Sequence, residues 1–240
     1  MSVSVGWTQV LLAGLWGGVV AVERKAFLQA MLSRPLVCAT IMGWLLGDVR
    51  SGLYVGMLLE LFYLGTANLG ASLPENDTVS ATGTAAAAAT MAAATGAGST
   101  QALWSISVLL FISLGRAGRS VDRQLEGYMA RLARVALASA EAGNLSRAVR
   151  QNLWGMWPHF FVYGAVTALC ALLGFFVGPL VEKLPLDLLR GLAWAFPAMA
   201  SVAAALAAQG SHAKRAPLYA GLGATLVTLV VILLILQERR

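Results

Sequence analysis

Long apolar runs alternate with short polar breaks along this chain, and the runs show no period-2 alternation. That pattern predicts helices rather than strands. Residues 3–22 form an uncharged run long enough to cross a bilayer, ending abruptly at Glu23, Arg24 and Lys25. No positive charge precedes the run, which is the pattern of a mature helix rather than a cleaved signal peptide. The three charges place its C-terminal end in the cytoplasm by the positive-inside rule.

The next arm breaks the pattern. Residues 35–47 are apolar but number only 13, followed by Asp48, Val49, Arg50 and Ser51, then a second apolar run from Gly52 that contains Glu60. Thirteen helical residues rise about 20 Å, against a hydrocarbon core of about 30 Å. The spacing predicts a re-entrant helical hairpin with Asp48 and Arg50 at its turn. Such backbone persists at membrane depth only where protein or a watery cavity satisfies it. Gly43-x-x-x-Gly47 and Gly52-x-x-x-Gly56 flank the turn and permit close packing of the arms.

Residues 69–80 read as an irregular loop around Gly70, Pro74, Glu75, Asn76 and Asp77. Residues 81–98, nearly all Ala, Thr and Gly, read as a helix packed tightly among neighbours. An apolar piece, 103–114, precedes the main polar segment, 116–150, with seven arginines (116, 119, 123, 131, 134, 147, 150) and three acids, Asp122, Glu126 and Glu141. We assign it to the cytoplasm. Val121, Leu125, Tyr128, Met129, Leu132, Val135 and Ala136 share one face of an amphipathic helix, suited to lie along the membrane surface or to meet a soluble partner. Residues 153–180, 191–208 and 218–236 read as further membrane segments, joined by a charge-balanced external loop, 182–190, and by His212, Lys214 and Arg215 inside. Pro197 marks a possible re-entrant break in the second of them.

Composition sharpens this picture. The chain of 240 residues is 58% hydrophobic and 12% charged, with a mean hydropathy of +0.73. Soluble domains carry roughly 25% charged residues, so a soluble enzyme, a disordered chain and a disulfide-stapled secreted domain are excluded. The net charge of +6 sits mostly between apolar runs, where it orients helices rather than binding nucleic acid. Cys38 and Cys170 lie inside apolar runs as small buried groups, with no metal or redox spacing.

Candidate chemistry is sparse. A carboxylate inside an apolar run costs some 2.5–3.5 kcal/mol on insertion scales, which singles out Glu60. It could form an inter-arm ion pair, with Arg50 as one partner, or face a solute. Asn68, Glu75, Asn76 and Asp77 follow. Carboxylates and carboxamides make the directed hydrogen bonds that sugar hydroxyls need. Phe62 and Tyr63 offer ring faces for a pyranose, or core contacts. From composition alone these residues mark a path for a polar or cationic solute. His159 reads as a satisfied interfacial residue and His212 as a solvated one. No phosphate loop, dinucleotide fingerprint or metal cluster occurs, so no cofactor is expected and no covalent chemistry by the chain alone.

The run Leu46-Gly47-Asp48-Val49-Arg50-Ser51-Gly52, with Gly56, Leu59-Glu60, Leu64-Gly65 and Asn68-Leu69-Gly70-Ala71, resembles the membrane IIC subunit of mannose/fructose/sorbose-type sugar phosphotransferase systems. Arg34-Pro35-Leu36-Val37, Gly143-Asn144-Leu145 and Ala216-Pro217-Leu218-Tyr219 extend the similarity over most of the chain. The resemblance implies a permease of the bacterial inner membrane, working beside a IID membrane subunit. Soluble IIA and IIB subunits would phosphorylate the sugar. It implies sugar-handling roles for Glu60 and Asn68 and for an aspartate after a proline in the next loop. Read without a gap, that aspartate falls on Asn76, with Asp77 one residue late.

The expected fold is an all-α polytopic membrane protein in a single domain, 1–240, with spanning helices, a re-entrant hairpin and substrate loop (35–75) and a surface amphipathic helix. The expected substrate-binding residues are Glu60, Asn68, Asn76 and Asp77, in a chain expected to assemble as an oligomer. Two other functions fit the same residues. One is a cation- or proton-coupled carrier using Glu60; the other is a non-transporting membrane assembly subunit.

Overall fold

The computed structural model describes residues 5–64, 73–96, 100–209, 215–216 and 218–226. They contain α1 (Trp7–Lys25), α2 (Pro35–Leu46), α3 (Val49–Leu64), α4 (Asp77–Thr95), α5 (Gln101–Phe111), α6 (Leu114–Glu141), α7 (Leu145–Trp154), α8 (Met156–Val181) and α9 (Leu186–Gln209). Residues 218–226 are helical, and no strand occurs among the described residues. The protein is an all-α membrane protein.

The Ala- and Thr-rich run becomes the axis of the fold. From Thr78 to Ala92 every residue of α4 is buried. Small side chains bring α8, α2, α3, α1 and α5 close around it. Two of its threonines spend their hydroxyls inside the helix: Thr82 Oγ1 donates to Thr78 O at 2.9 Å and Thr90 Oγ1 to Ala86 O at 2.9 Å. A buried hydroxyl thereby costs little. The helix also begins at Asp77, inside the stretch expected to be loop. Asn76 caps it by accepting from Val79 N at 3.1 Å, so the polar cluster that looked like a turn is a helix start.

The hairpin forms as the spacing predicts. Pro35 opens α2 at a position where a missing N–H costs nothing. Gly47 closes it with a φ of 86°, a left-handed conformation that glycine adopts freely. Asp48 then starts α3, accepting from Ser51 N at 3.1 Å. The arms touch at Gly43 and Gly52: a Cβ on Gly52 would lie 2.9 Å from Gly43 Cα and 2.3 Å from Ala39 O. With 12 residues, α2 rises about 18 Å, short of the roughly 30 Å hydrocarbon core. The hairpin runs alongside α1. Gln9 Nε2 donates to Leu46 O at 2.8 Å near the tip, and Trp16 Nε1 to Cys38 O at 2.9 Å midway.

Among the described residues, three helical stretches each contain a segment long and apolar enough to cross a membrane: Gln101–Glu141, Leu145–Val181 and Leu186–Ala208. The first joins α5 to α6 through a short turn. The run 3–22, expected to span, begins outside the described residues; its described part forms most of α1, which ends in the charged residues Glu23, Arg24 and Lys25. Pro197 does not break α9, which stays helical on both sides of it. Pro197 O accepts from Ser201 Oγ at 3.0 Å. The basic segment is two helices rather than one. Gly143, at a φ of 75°, turns the chain between α6 and α7, and α7 packs back on α6. Most of the expected last span, 218–236, lies outside the described residues.

Candidate functional site

Glu60 lies opposite the start of α2. Its Oε1 pairs with Arg34 at 2.5 Å, and its Oε2 accepts from Leu36 N at 3.2 Å. The first N–H groups of α2 have no partner within their own helix, and Arg34 supplies no side-chain cap. Glu60 therefore caps α2 from the neighbouring arm, where the positive end of the helix dipole favours a carboxylate. This corrects the pairing with Arg50. Arg50 is exposed in the first turn of α3, ten residues and about 15 Å along the helix from Glu60. The Arg34–Glu60 pair remains open to solvent at one side, with side-chain exposures of 47% and 16%.

The start of α4 meets the same end of the hairpin. Thr78 Oγ1 donates to Ser33 O at 2.9 Å, next to Arg34. The structure thus brings Glu60, Asn76 and Asp77 to one end of the helix pack. The three are not equivalent. Asn76 is 2% exposed, and its Nδ2 donates to Asp122 Oδ2 at 3.1 Å while its Oδ1 caps α4. Asp77 pairs with Arg24 and keeps part of its side chain exposed. Asn68 lies outside the described residues, and so does His212. Asp48 and Arg50 do sit at the hairpin turn.

A buried polar network surrounds this end, and much of it was not anticipated. Arg24 also donates to Asn76 Oδ1 at 3.2 Å, Thr78 Oγ1 at 2.8 Å and Glu75 O at 3.3 Å. Lys25 pairs with Glu126 at 3.1 Å and lies 4.0 Å from Asp122. Asp122, 3% exposed, accepts from Tyr163 Oη at 2.6 Å. Glu23, equally buried, accepts from Ser33 N at 2.9 Å and Leu32 N at 3.2 Å. The triplet Glu23-Arg24-Lys25 is therefore internal wiring between α1, the hairpin, α4 and α6, beyond any role in topology. A sequence signal existed for Asp122: it falls three residues before Leu125 and seven before Met129, on the apolar face of α6. Beside the network lies a cavity of about 10 Å³, lined in part by Arg24, Asn76, Thr82, Asp122 and Tyr163. That is room for about one water.

Other candidates resolve plainly. His159 is 4% exposed and its Nε2 has no hydrogen-bond partner among the described residues, so it is not the satisfied interfacial residue expected. Its ring lies beside that of the buried Tyr163, with centroids 6.3 Å apart. Phe62 meets Tyr63 edge-on at 5.3 Å and lines an apolar cavity of about 330 Å³ between α3, α5 and α9. Every side chain lining that cavity is apolar, so it offers sugar hydroxyls no partner. Cys38 and Cys170 are buried and unpaired with each other, as expected. No cluster of metal-ligating side chains occurs among the described residues.

Comparison with known proteins places the whole arrangement. Over 98% of the chain and 95% of the other, the fold matches a solved structure titled "Structure of membrane protein", with a TM-score of 0.69 and 19% identity. It also matches a chain in a structure of the mannose transporter ManYZ in complex with microcin E492, at a TM-score of 0.59, 20% identity and the same coverage. In sequence, 79 residues are 32% identical to the PTS system sorbose-specific EIIC component of Lacticaseibacillus casei. That match spans 33% of this chain and 28% of the relative. The family model for the PTS system sorbose-specific IIC component, EII-Sor, matches residues 7–236. With nearly its whole length covered, the chain belongs to the sorbose-specific IIC family of phosphotransferase-system membrane components.

Proposed function

We propose that this chain moves a hexose-type sugar across the bacterial inner membrane together with a IID subunit, for phosphorylation by IIB. The single observation that supports this most is the convergence of Glu60, Asp77 and Arg34 at one end of a hairpin within an otherwise apolar family member. Glu60 and Asp77 accept from hydroxyls, and Arg34, half-exposed, donates to them. Asn68 completes the site, and Asn76 holds Asp77 in place by capping α4. The hairpin then carries bound sugar past a scaffold built from α8 and α9, in an alternating-access cycle. The chain performs no group transfer itself; the phosphoryl group comes from the soluble subunits. An ion-coupled carrier would use Glu60 for its cation, and the Arg34 guanidinium already fills that position.

The test is sugar phosphorylation by membrane vesicles containing this chain, a IID subunit and soluble IIA and IIB. Mannose, fructose and sorbose are the substrates. Wild-type vesicles should phosphorylate at least one of them. Glu60→Gln keeps the shape and loses the charge; a hydrogen bond to a charged group is worth roughly 1.5–3 kcal/mol. Sugar affinity should fall about ten- to hundredfold, at normal folded yield. Unchanged affinity in a folded Glu60→Gln protein would remove Glu60 from the site. Uptake that needs a sodium or proton gradient, without phosphorylation, would overturn the function.

A further inference from the structure

Outside the site, the basic hairpin of α6 and α7 carries an unbalanced charge and an uncovered apolar face. Its root is neutralised: Arg116 and Arg119 pair with Glu75, and Lys25 engages Glu126 and Asp122. Its far half is not. Arg131, Arg134, Arg147 and Arg150 are exposed and make no ion pair among the described residues. The one acid there is Glu141. Leu145, Val149 and Leu153 form an i, i+4, i+8 stripe on α7 and are 68%, 60% and 52% exposed. No residue of α7 is buried.

What covers this face follows from where α7 leads. Gly155 alone separates α7 from α8, which lies in a stretch apolar and long enough to span. The last turn of α7 and the first of α8 expose Trp154 and Trp157, residues that gather at the membrane–water boundary. Held at the level of the headgroups, α7 would turn its stripe toward the acyl chains and its arginines toward the phosphates. Where α6 turns into α7 a groove of about 520 Å³ opens, lined by Arg134, Ser139, Asn144 and Arg147 together with Val135 and Ala138. Two guanidiniums beside a patch of apolar wall match a phosphate attached to a glycerol and its acyl chains.

We propose that the α6–α7 hairpin is a docking surface for anionic phospholipid, with a headgroup phosphate held between Arg134 and Arg147. The lipid fixes the hairpin against the bilayer, and neutral lipid does so less well.

The full chain, purified in detergent and mixed with phosphatidylglycerol and phosphatidylcholine in equal amounts, tests this by native mass spectrometry of the retained lipids. Wild-type protein should retain phosphatidylglycerol preferentially, and less so as salt is raised. Each arginine near an anionic surface is worth about fivefold in binding. Arg134→Gln with Arg147→Gln should therefore reduce the preference by about 25-fold, while the distant Arg190→Gln leaves it intact. If the first pair fails to fold, Arg131→Gln with Arg150→Gln reads the same surface. Equal retention of both lipids by wild type, or an undiminished preference in the folded double variant, overturns the proposal. So does displacement of the lipid by millimolar inorganic phosphate. Loss of IIB binding in the double variant with lipid preference unchanged would assign the surface to a protein instead.

Discussion

Replacing Tyr163 with Phe isolates one bond in the buried network. The hydroxyl donates to Asp122 Oδ1 at 2.6 Å and lies 3.1 Å from Gly118 O. Tyr163 and Asp122 are each 3% exposed, so bulk water does not reach the bond, and the adjoining cavity has room for about one water. The ring stays and the change removes a single oxygen, which leaves almost no new cavity. A hydrogen bond to a charged group contributes roughly 1.5–3 kcal/mol. In a chain of this size each kcal/mol moves the midpoint by about 2–4 °C, so Tyr163→Phe should lower it by about 3–12 °C. The assay is thermal unfolding in detergent at one fixed scan rate, followed by tryptophan fluorescence, because membrane proteins commonly unfold irreversibly. Tyr128→Phe, on the exposed side of α6, is the control and should move it by less than about 1 °C. The decisive arm is a double-mutant cycle. In the Asp122→Asn background the carboxylate is gone, so Tyr163→Phe should cost at most about half as much. A midpoint unmoved by Tyr163→Phe, or the same loss with and without Asp122→Asn, would refute the reasoning that this pair ties α8 to α6.

Three further outcomes follow from the geometry. Gly52→Ala puts a methyl group against the Gly43 backbone, so overpacking should cost about 1–3 kcal/mol and lower folded yield; Gly127→Ala, where a Cβ meets nothing, should not. Arg24→Gln removes the donor shared by Asp77, Asn76 and Thr78 and should destabilise by roughly 1.5–3 kcal/mol, read as a lowered unfolding midpoint; an unchanged midpoint would show that α4 starts without α1. Cysteines placed singly at Asp48, Arg50 and Arg34 should label with an impermeant thiol reagent from one aqueous face. Native Cys38 and Cys170 stay silent because they are buried, and labelling of Arg50→Cys from the opposite face would establish a full crossing.

Local chemistry made much of this protein readable in its sequence. Apolar runs bounded by charge predict helices whatever their neighbours, because a backbone in lipid must satisfy its own hydrogen bonds. The hairpin was legible for a similar reason: Pro35, Gly43, Gly47, Gly52 and the short arm each act within a few residues. The Ala-rich run announced a tightly packed helix because nothing in it could block close approach. The family was legible because one stretch holds many fixed spacings at once. The partners of the charges were not legible. Glu60 meets Arg34 rather than Arg50 because antiparallel arms bring the far ends of a hairpin together, while a helix separates residues along its own length. Arg24 reaches Asp77 across 53 positions and Lys25 reaches Glu126 across 101. No local periodicity encodes such distances. Only the packing of α1 against α4 and α8, with α6 against α4, turns flanking charges into a buried network. The tertiary structure likewise decided that Asn76 is a buried cap while Asp77 keeps an exposed edge. Adjacent residues at a helix start point in different directions, and the surrounding helices determine which of the two meets solvent.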